Sequence, residues 1–268
     1  MSVNPTGTSR NEPNVSSQIE HNPVTALSTA TMFLTRFPVG GNNSHDGIAL
    51  SATLWVFPVV GVLVGLFGAF AYYIGDVVGL PSAVSAIVAV AAMYVATGGL
   101  HEDGLADCAD GFGGGSSRER KLAIMRDSRV GTYGVAAMIF SILARIVILV
   151  SLGDPATVCA ALVASAALSR GAMGPVMAML PAARDDGLSA AAGRPHMGQT
   201  LVGGAIAFGV AWFALGFGMA LLAFLVSVVA MLLVAALARK QISGQTGDVL
   251  GAVAQVVEIV ALAAISVR

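Results

Sequence analysis

Long apolar runs separated by short polar turns dominate the chain, and the lengths of those runs carry the first structural reading. A helix crosses a bilayer with about 20 predominantly apolar residues. Runs of that order fall at 49–75, 81–99, 132–152, 156–180 and 249–267. The apolar stretch 201–238 is too long for one crossing, and Gly216-Phe217-Gly218 supplies a turn that divides it in two. The pattern therefore predicts an all-α protein, a polytopic integral membrane helical bundle of about seven spans. A shorter apolar piece at 24–34 precedes them and is followed by Arg36 and Pro38, which reads as an interfacial helix. Residues 1–22 are rich in Asn, Ser, Pro and Thr, which predicts a disordered polar tail ahead of a single transmembrane domain over 23–268.

Composition agrees with the pattern. Charged residues make up 11% of the chain and apolar ones 56%, with a mean hydropathy of +0.81; a soluble domain carries roughly 25% charge. The net charge of −1 and the lack of a basic face argue against nucleic acid as a partner. Cys108 and Cys159 lie in one polar and one apolar segment, which suggests neither a disulfide framework nor a zinc site. No basic start followed by an apolar core opens the chain, so insertion is expected to rely on the later spans. Lys and Arg are absent from the turns near 76–81, 153–155 and 216–218. They gather in 100–131, 181–200 and 239–248, as Arg118, Arg120, Lys121, Arg126, Arg129, Arg184, Arg194, Arg239 and Lys240. The positive-inside rule puts this second set in the cytoplasm.

In a chain so poor in charge, residues 98–115 stand out: Glu102, Asp103, Asp107 and Asp110 lie within nine positions, beside a run of glycines. Asp103, Asp107 and Asp110 follow an i, i+4, i+7 pattern. If the preceding span simply continues as a helix, the three fall within roughly 60° of one face. Like charges on one stripe repel, and a hard divalent cation with oxygen ligands relieves that repulsion. Glu102 points away from the stripe in a regular helix and needs a bend to join it. The plainer alternative is a solvated acidic helix end. Gly111, Gly113, Gly114 and Gly115 let backbone N–H groups approach an anion, and Arg118, Arg120 and Lys121 follow at once. His101 has no second histidine four residues on, so it is no part of a zinc-protease helix, and it serves equally as a ligand or as a hydrogen-bonding neighbour.

Further polar groups gather near the same predicted face. Arg126-Asp127-Ser128-Arg129 leads into the next span and suits a phosphate clamp, with a charged collar as the alternative. Gly244-Gln245-Thr246-Gly247-Asp248 forms another glycine-rich polar turn. Inside the spans, Arg145, Arg170 and Glu258 each need a partner or a polar cavity. Arg170 and Glu258 lie at similar depth, roughly 15 Å from the cytoplasmic ends of their helices at ~1.5 Å per residue. They can pair with each other or contact substrate.

Residues 98–115, the 127–134 stretch and 245–251 resemble the signatures of the cobalamin synthase family. Phe33-Leu34-Thr35-Arg36-Phe37-Pro38-Val39 and Leu168-Ser169-Arg170 are similar to that family's other motifs, and the likeness covers almost everything after residue 22. The resemblance implies a multi-pass transferase of the bacterial inner membrane, with its site facing the cytoplasm. It would join α-ribazole, or α-ribazole 5′-phosphate, to adenosylcobinamide-GDP with Mg²⁺ and release GMP. By the resemblance, and by analogy with CDP-alcohol phosphotransferases, Asp103, Asp107 and Asp110 are the catalytic carboxylates, with Asp110 the candidate base. The same three and Glu102 are the candidate metal ligands. His101, Gly113, Gly114, Arg118, Arg126, Asp127, Arg129, Arg170, Gln245 and Asp248 are the candidate substrate contacts. The lipid bilayer is the expected surrounding, and a homo-oligomer or association with other cobalamin-pathway enzymes stays open. The rival reading is a transporter of a divalent cation or phosphorylated metabolite. A transporter usually binds near the midplane on broken helices of paired repeats, whereas this cluster sits at one face and no repeat is evident.

Overall fold

The structure is a computed structural model that describes residues 22–39 and 49–267. Apart from Asn22, the tail predicted for 1–22 lies outside the described residues. The first apolar piece is α1 (Pro23–Leu34). Asn22 starts it by accepting from the Val24 N–H at 3.0 Å, with Pro23 in the first turn. A 3-10 turn over Leu50–Val56 runs directly into α2 (Phe57–Val77), and α3 (Ser82–Thr97) returns. The acidic segment forms α4 (Leu100–Gly114), the short α5 (Arg118–Ile124) follows, and α6 (Thr132–Leu152) is the next long helix. Asp154 caps α7 (Pro155–Gly171), which passes through a one-residue break into α8 (Met173–Met179). A single turn, α9 (Leu188–Ala191), precedes α10 (Met197–Leu215), α11 (Phe217–Ile242) and α12 (Gly247–Ser266).

Six of these stretches are long and apolar enough to cross a membrane: Leu50–Val77, Thr132–Leu152, Pro155–Met179, Met197–Leu215, Phe217–Ile242 and Gly247–Ser266. The predicted division of 201–238 falls at Gly216, which has a φ of 79°. The pattern's seventh span is α3, only 16 residues long, and it counts as a crossing only when taken together with α4. Here the structure corrects the sequence expectation. The acidic segment does not continue the preceding span, because the two helices meet at 88°. Gly98 and Gly99 make the break with φ of 65° and 71°, a left-handed pair that residues with a Cβ rarely adopt. The polar α4 is thus an arm packed into the bundle and is not itself one of the six spans.

Packing in an apolar solvent depends on close approach, since lipid supplies no hydrophobic drive between helices. α2 meets α7 through Gly61 and Gly65. A Cβ on Gly61 would lie 2.9 Å from the Ala167 Cα, and one on Gly65 would lie 2.7 Å from the Val163 Cα. α12 is the centre of the bundle, touching α4, α6, α7 and α11 along its length. It carries Asp248 in its first turn and Glu258 deep inside.

Candidate active site

Four charged side chains meet inside the bundle. Arg145 of α6 donates to Glu102 of α4 at 2.9 Å and to Glu258 of α12 at 3.3 Å. Arg170 of α7 pairs with the other oxygen of Glu258 and donates to Ser169 Oγ. The expected pairing of Arg170 with Glu258 is therefore present, as part of a larger network of two arginines and two glutamates. All four residues are at most 3% exposed, so the network is neutral in sum and shut from water. Glu102, expected among the metal ligands, is turned into this network and away from the acidic stripe. Its direction is the one a regular helix dictates. Ser141 and Gln255 add a neutral hydrogen bond of 2.9 Å between α6 and α12.

The remaining carboxylates of α4 divide by their surroundings. Asp110 accepts from the Gly131 N–H at 2.7 Å and the Gly134 N–H at 2.9 Å, one on each oxygen. Those are free donors of the α6 N-terminus, where Gly131 as N-cap has no capping side chain of its own. Asp110 is an anchor between helices, with both oxygens engaged, and it is poorly placed to serve as a base. Asp103 is exposed and Asp107 half-buried. Neither makes an ion pair among the described residues. Burial, then the charges of Asp103, Asp248 and Asp110, push the Asp107 carboxyl up to about 7, with Arg184 opposing.

Asp248 joins this cluster because α4 and α12 touch at backbone distance. A Cβ on Gly104 would lie 2.8 Å from the Asp248 carbonyl oxygen and 3.0 Å from its Cα, and one on Gly251 would lie 3.3 Å from the Gly104 Cα. Arg184 donates to Asp248 Oδ2 at 3.0 Å, and the Thr246 hydroxyl donates to the same oxygen. His101 is buried beside this contact, with neither ring nitrogen hydrogen-bonded among the described residues. Burial, with Arg170 and Arg145 nearby, holds it well below the usual imidazole range, so it is neutral.

The arginines and glycines expected to cradle phosphate have other partners. Arg118 donates to the carbonyls of Ile242 (3.0 Å) and Ala183. Arg129 pairs with Asp127 through Nε and Nη2, and the hydrogen bonds from Arg129 hold the Asp127 carboxyl down at about 2. Arg126 pairs with Asp186. Gly113 clears room for the Tyr133 ring, 2.9 Å from where its Cβ would sit, while Gly114 is exposed. Gln245 is buried and its side-chain oxygen accepts from the Ser189 hydroxyl. Arg184, Ser189 and the hub role of Arg145 were not legible as site features. Arg184 reads as ordinary loop charge, and only the fold brings it against Asp248, 64 positions away.

Two cavities adjoin Asp248. One, of about 110 Å³, is largely apolar, with Phe33, Phe57, Met173 and Met177 among its walls together with His101 and Asp103. The other, of about 210 Å³, is polar, lined by Arg184, Asp186, Ser189, Gln245 and Thr246. Ser189, Gly247 and Asp248 belong to both. An arrangement of this kind, oxygen donors between a polar and an apolar recess, can hold a charged reacting centre between two chemically unlike groups.

Comparison with known proteins bears on what those groups are. Residues 26–266 match the family model described as cobalamin-5-phosphate synthase. A protein of Bradyrhizobium diazoefficiens named adenosylcobinamide-GDP ribazoletransferase is 45% identical over 90% of this chain and 93% of its own length. Proteins of the same name from Mesorhizobium japonicum and Azorhizobium caulinodans are 46% and 43% identical, over 90% and 87% of this chain and 92% of each relative. No solved structure matches the chain.

Proposed function

The chain belongs to the cobalamin-5-phosphate synthase family and is an adenosylcobinamide-GDP ribazoletransferase, and on that premise we propose that its chemistry takes place where α4 meets the head of α12. The nearness of Asp103 and Asp107 to Asp248 across the Gly104 contact carries this reading. The enzyme catalyses the late step of cobalamin nucleotide-loop assembly, joining α-ribazole or its 5′-phosphate to adenosylcobinamide-GDP. The relatives lend no support to the transporter reading.

A ribose hydroxyl of the acceptor attacks the phosphorus that bears the cobinamide arm, and GMP leaves. Such a reaction asks the protein mainly for alignment and charge neutralisation. Among the described residues no three acidic, His or Cys side chains close around a common point. The donor set nevertheless suits Mg²⁺, because Asp103, Asp107 and Asp248 are hard oxygen donors; burial first, and then repulsion among the carboxylates, raises Asp107, and a divalent cation would relieve the repulsion. Bound there, Mg²⁺ supplies neutralisation of diphosphate charge. Glu102 and Asp110 set the arm that presents the other carboxylates: Glu102 ties its first turn to Arg145, and Asp110 ties its last turns to the start of α6. His101, neutral and without a partner among the described residues, offers one donor and one acceptor at the wall of the apolar cavity.

The site belongs, on this reading, at the cytoplasmic face of a bacterial inner membrane; the basic loops around α5 and 181–200 support that orientation. Purified protein in detergent should release GMP from adenosylcobinamide-GDP when given α-ribazole or its 5′-phosphate, with no membrane barrier present. Absence of GMP release with both acceptors would reject the placement and the chemistry together.

A further inference from the structure

Among the arginines of the polar loops, Arg184 sits inside the carboxylate cluster. Its Nη2 donates to Asp248, while Nη1 is buried with no hydrogen-bond partner among the described residues. The loop that presents it is held from several directions. The Ala183 N–H donates to the Gln245 carbonyl and the Gln245 N–H to the Pro181 carbonyl, both at 2.8 Å. Gly244 permits this approach, since a Cβ there would lie 2.9 Å from the Ala183 nitrogen. Arg118 clasps both sides of the pairing through the Ile242 and Ala183 carbonyls. Gln245 is 3% exposed, and with its oxygen taken by Ser189 its amide nitrogen has no partner among the described residues. Arg184 and Gln245 wall the same polar cavity.

We propose that this polar cavity binds the GMP half of the donor, with Arg184 Nη1 and the Gln245 amide donating to the phosphate that departs. The proposal rests on the ribazoletransferase reading and adds the side from which the leaving group exits. The two recesses sort the substrates by polarity. The uncharged base of the acceptor suits the apolar walls of Phe33, Phe57, Met173 and Met177, whereas the phosphate and polar-edged guanine of the departing nucleotide suit the polar one. Their shared wall at Gly247 and Asp248 puts the phosphorus between them, beside the carboxylates. Asp186 in the polar wall is neutralised by Arg126, and Asp248 by Arg184, so neither repels the nucleotide in full. In the transfer, the ribose oxygen–phosphorus bond forms and the bond from phosphorus to the bridging oxygen breaks. GMP departs with that oxygen and both bonding electrons, and the hydroxyl proton passes to solvent. Charge grows on the departing phosphate, where a guanidinium hydrogen bond is worth most.

The test compares the full-length wild type with Arg184→Lys in detergent. It measures direct binding of GMP and GDP, GMP product inhibition, the KM for each substrate, and thermal stability. Lysine keeps a cation beside Asp248 and loses the second donor nitrogen of the guanidinium fork. The expected result is GMP and GDP affinity weakened about tenfold or more, as for loss of one charge-assisted hydrogen bond, with the KM for α-ribazole and the melting temperature little changed. Gln245→Leu should weaken GMP in the same direction. A wild type that turns over while Arg184→Lys binds GMP unchanged, or loses acceptor affinity instead, would overturn this assignment alone. A wild type that releases no GMP with either acceptor would overturn the ribazoletransferase site and this assignment with it.

Discussion

Asp107 and Asp110 stand three positions apart on α4, yet one carboxylate is wrapped in donors and the other faces its own kind. Asp110 holds two backbone N–H groups of the α6 start, whereas Asp107 is pushed up to about 7 by burial and then by Asp103, Asp248 and Asp110. The folded value lies above the ordinary carboxyl value of the unfolded chain. Asp107 therefore contributes stability that is complete in acid and is lost as pH rises through about 7. Asp107→Asn should make the metal-free protein more heat-stable than wild type, with a gap that opens above about pH 4 and is full above about 7. Added Mg²⁺ should close the gap by stabilising wild type alone, and the variant should lose most GMP release. Melting curves in detergent across pH, with and without Mg²⁺, check this; a wild type indifferent to Mg²⁺ would remove Asp107 from the metal site. The acidic spacing made these residues visible in the sequence, but their division of labour was not, because it depends on whether Gly131 and Gly134 or another carboxylate lies opposite.

At the level of elements, α4 is held to α12 by missing side chains and to α6 by a buried charge. Gly104→Val should force the two helix backbones apart, since even a Cβ there would lie 2.8 Å from the Asp248 carbonyl. Activity should fall by more than about tenfold through loss of the carboxylate geometry, while the protein still inserts and purifies. Normal turnover in that variant would show that Asp248 need not sit beside the α4 carboxylates. The ion network predicts an order among its members. Glu258 is served by two arginines, but Glu102 has only Arg145 among the described residues. Arg145→Met should therefore be the more damaging arginine loss, about 3–5 kcal/mol for an uncompensated buried charge, and Arg170→Met less. Adding Glu102→Gln to Arg145→Met should recover part of the loss in a double-mutant cycle; strictly additive losses would mean the two are not coupled. The pairing of Arg170 with Glu258 was legible from equal depth. Arg145 as its hub was not, since its partners come from helices 43 and 113 positions away.

For the whole molecule, orientation is the testable consequence of the loop charges. In a variant with Cys108 and Cys159 replaced, a cysteine at the exposed Ser116 (Ser116→Cys) should resist an impermeant thiol reagent in intact cells and react once the membrane is opened. Reaction in intact cells would invert the topology. The number and rough bounds of the apolar helices follow from run length alone, because a chain that must satisfy every backbone group in lipid has little choice but helix. The motif glycines and carboxylates were equally plain, and with them the family. What the linear pattern does not contain is direction. The acidic run extends the preceding span in register, and only the left-handed Gly98-Gly99 pair turns it by 88° into the bundle. That turn sends Glu102 to Arg145 and Asp110 to the α6 start, and it sets Asp103 and Asp107 beside Asp248. Arg184, which the sequence marks only as loop charge, enters the cluster beside Asp248. Local spacing fixes which face of a helix a residue occupies, whereas its partner is decided by which distant helix the fold lays against that face.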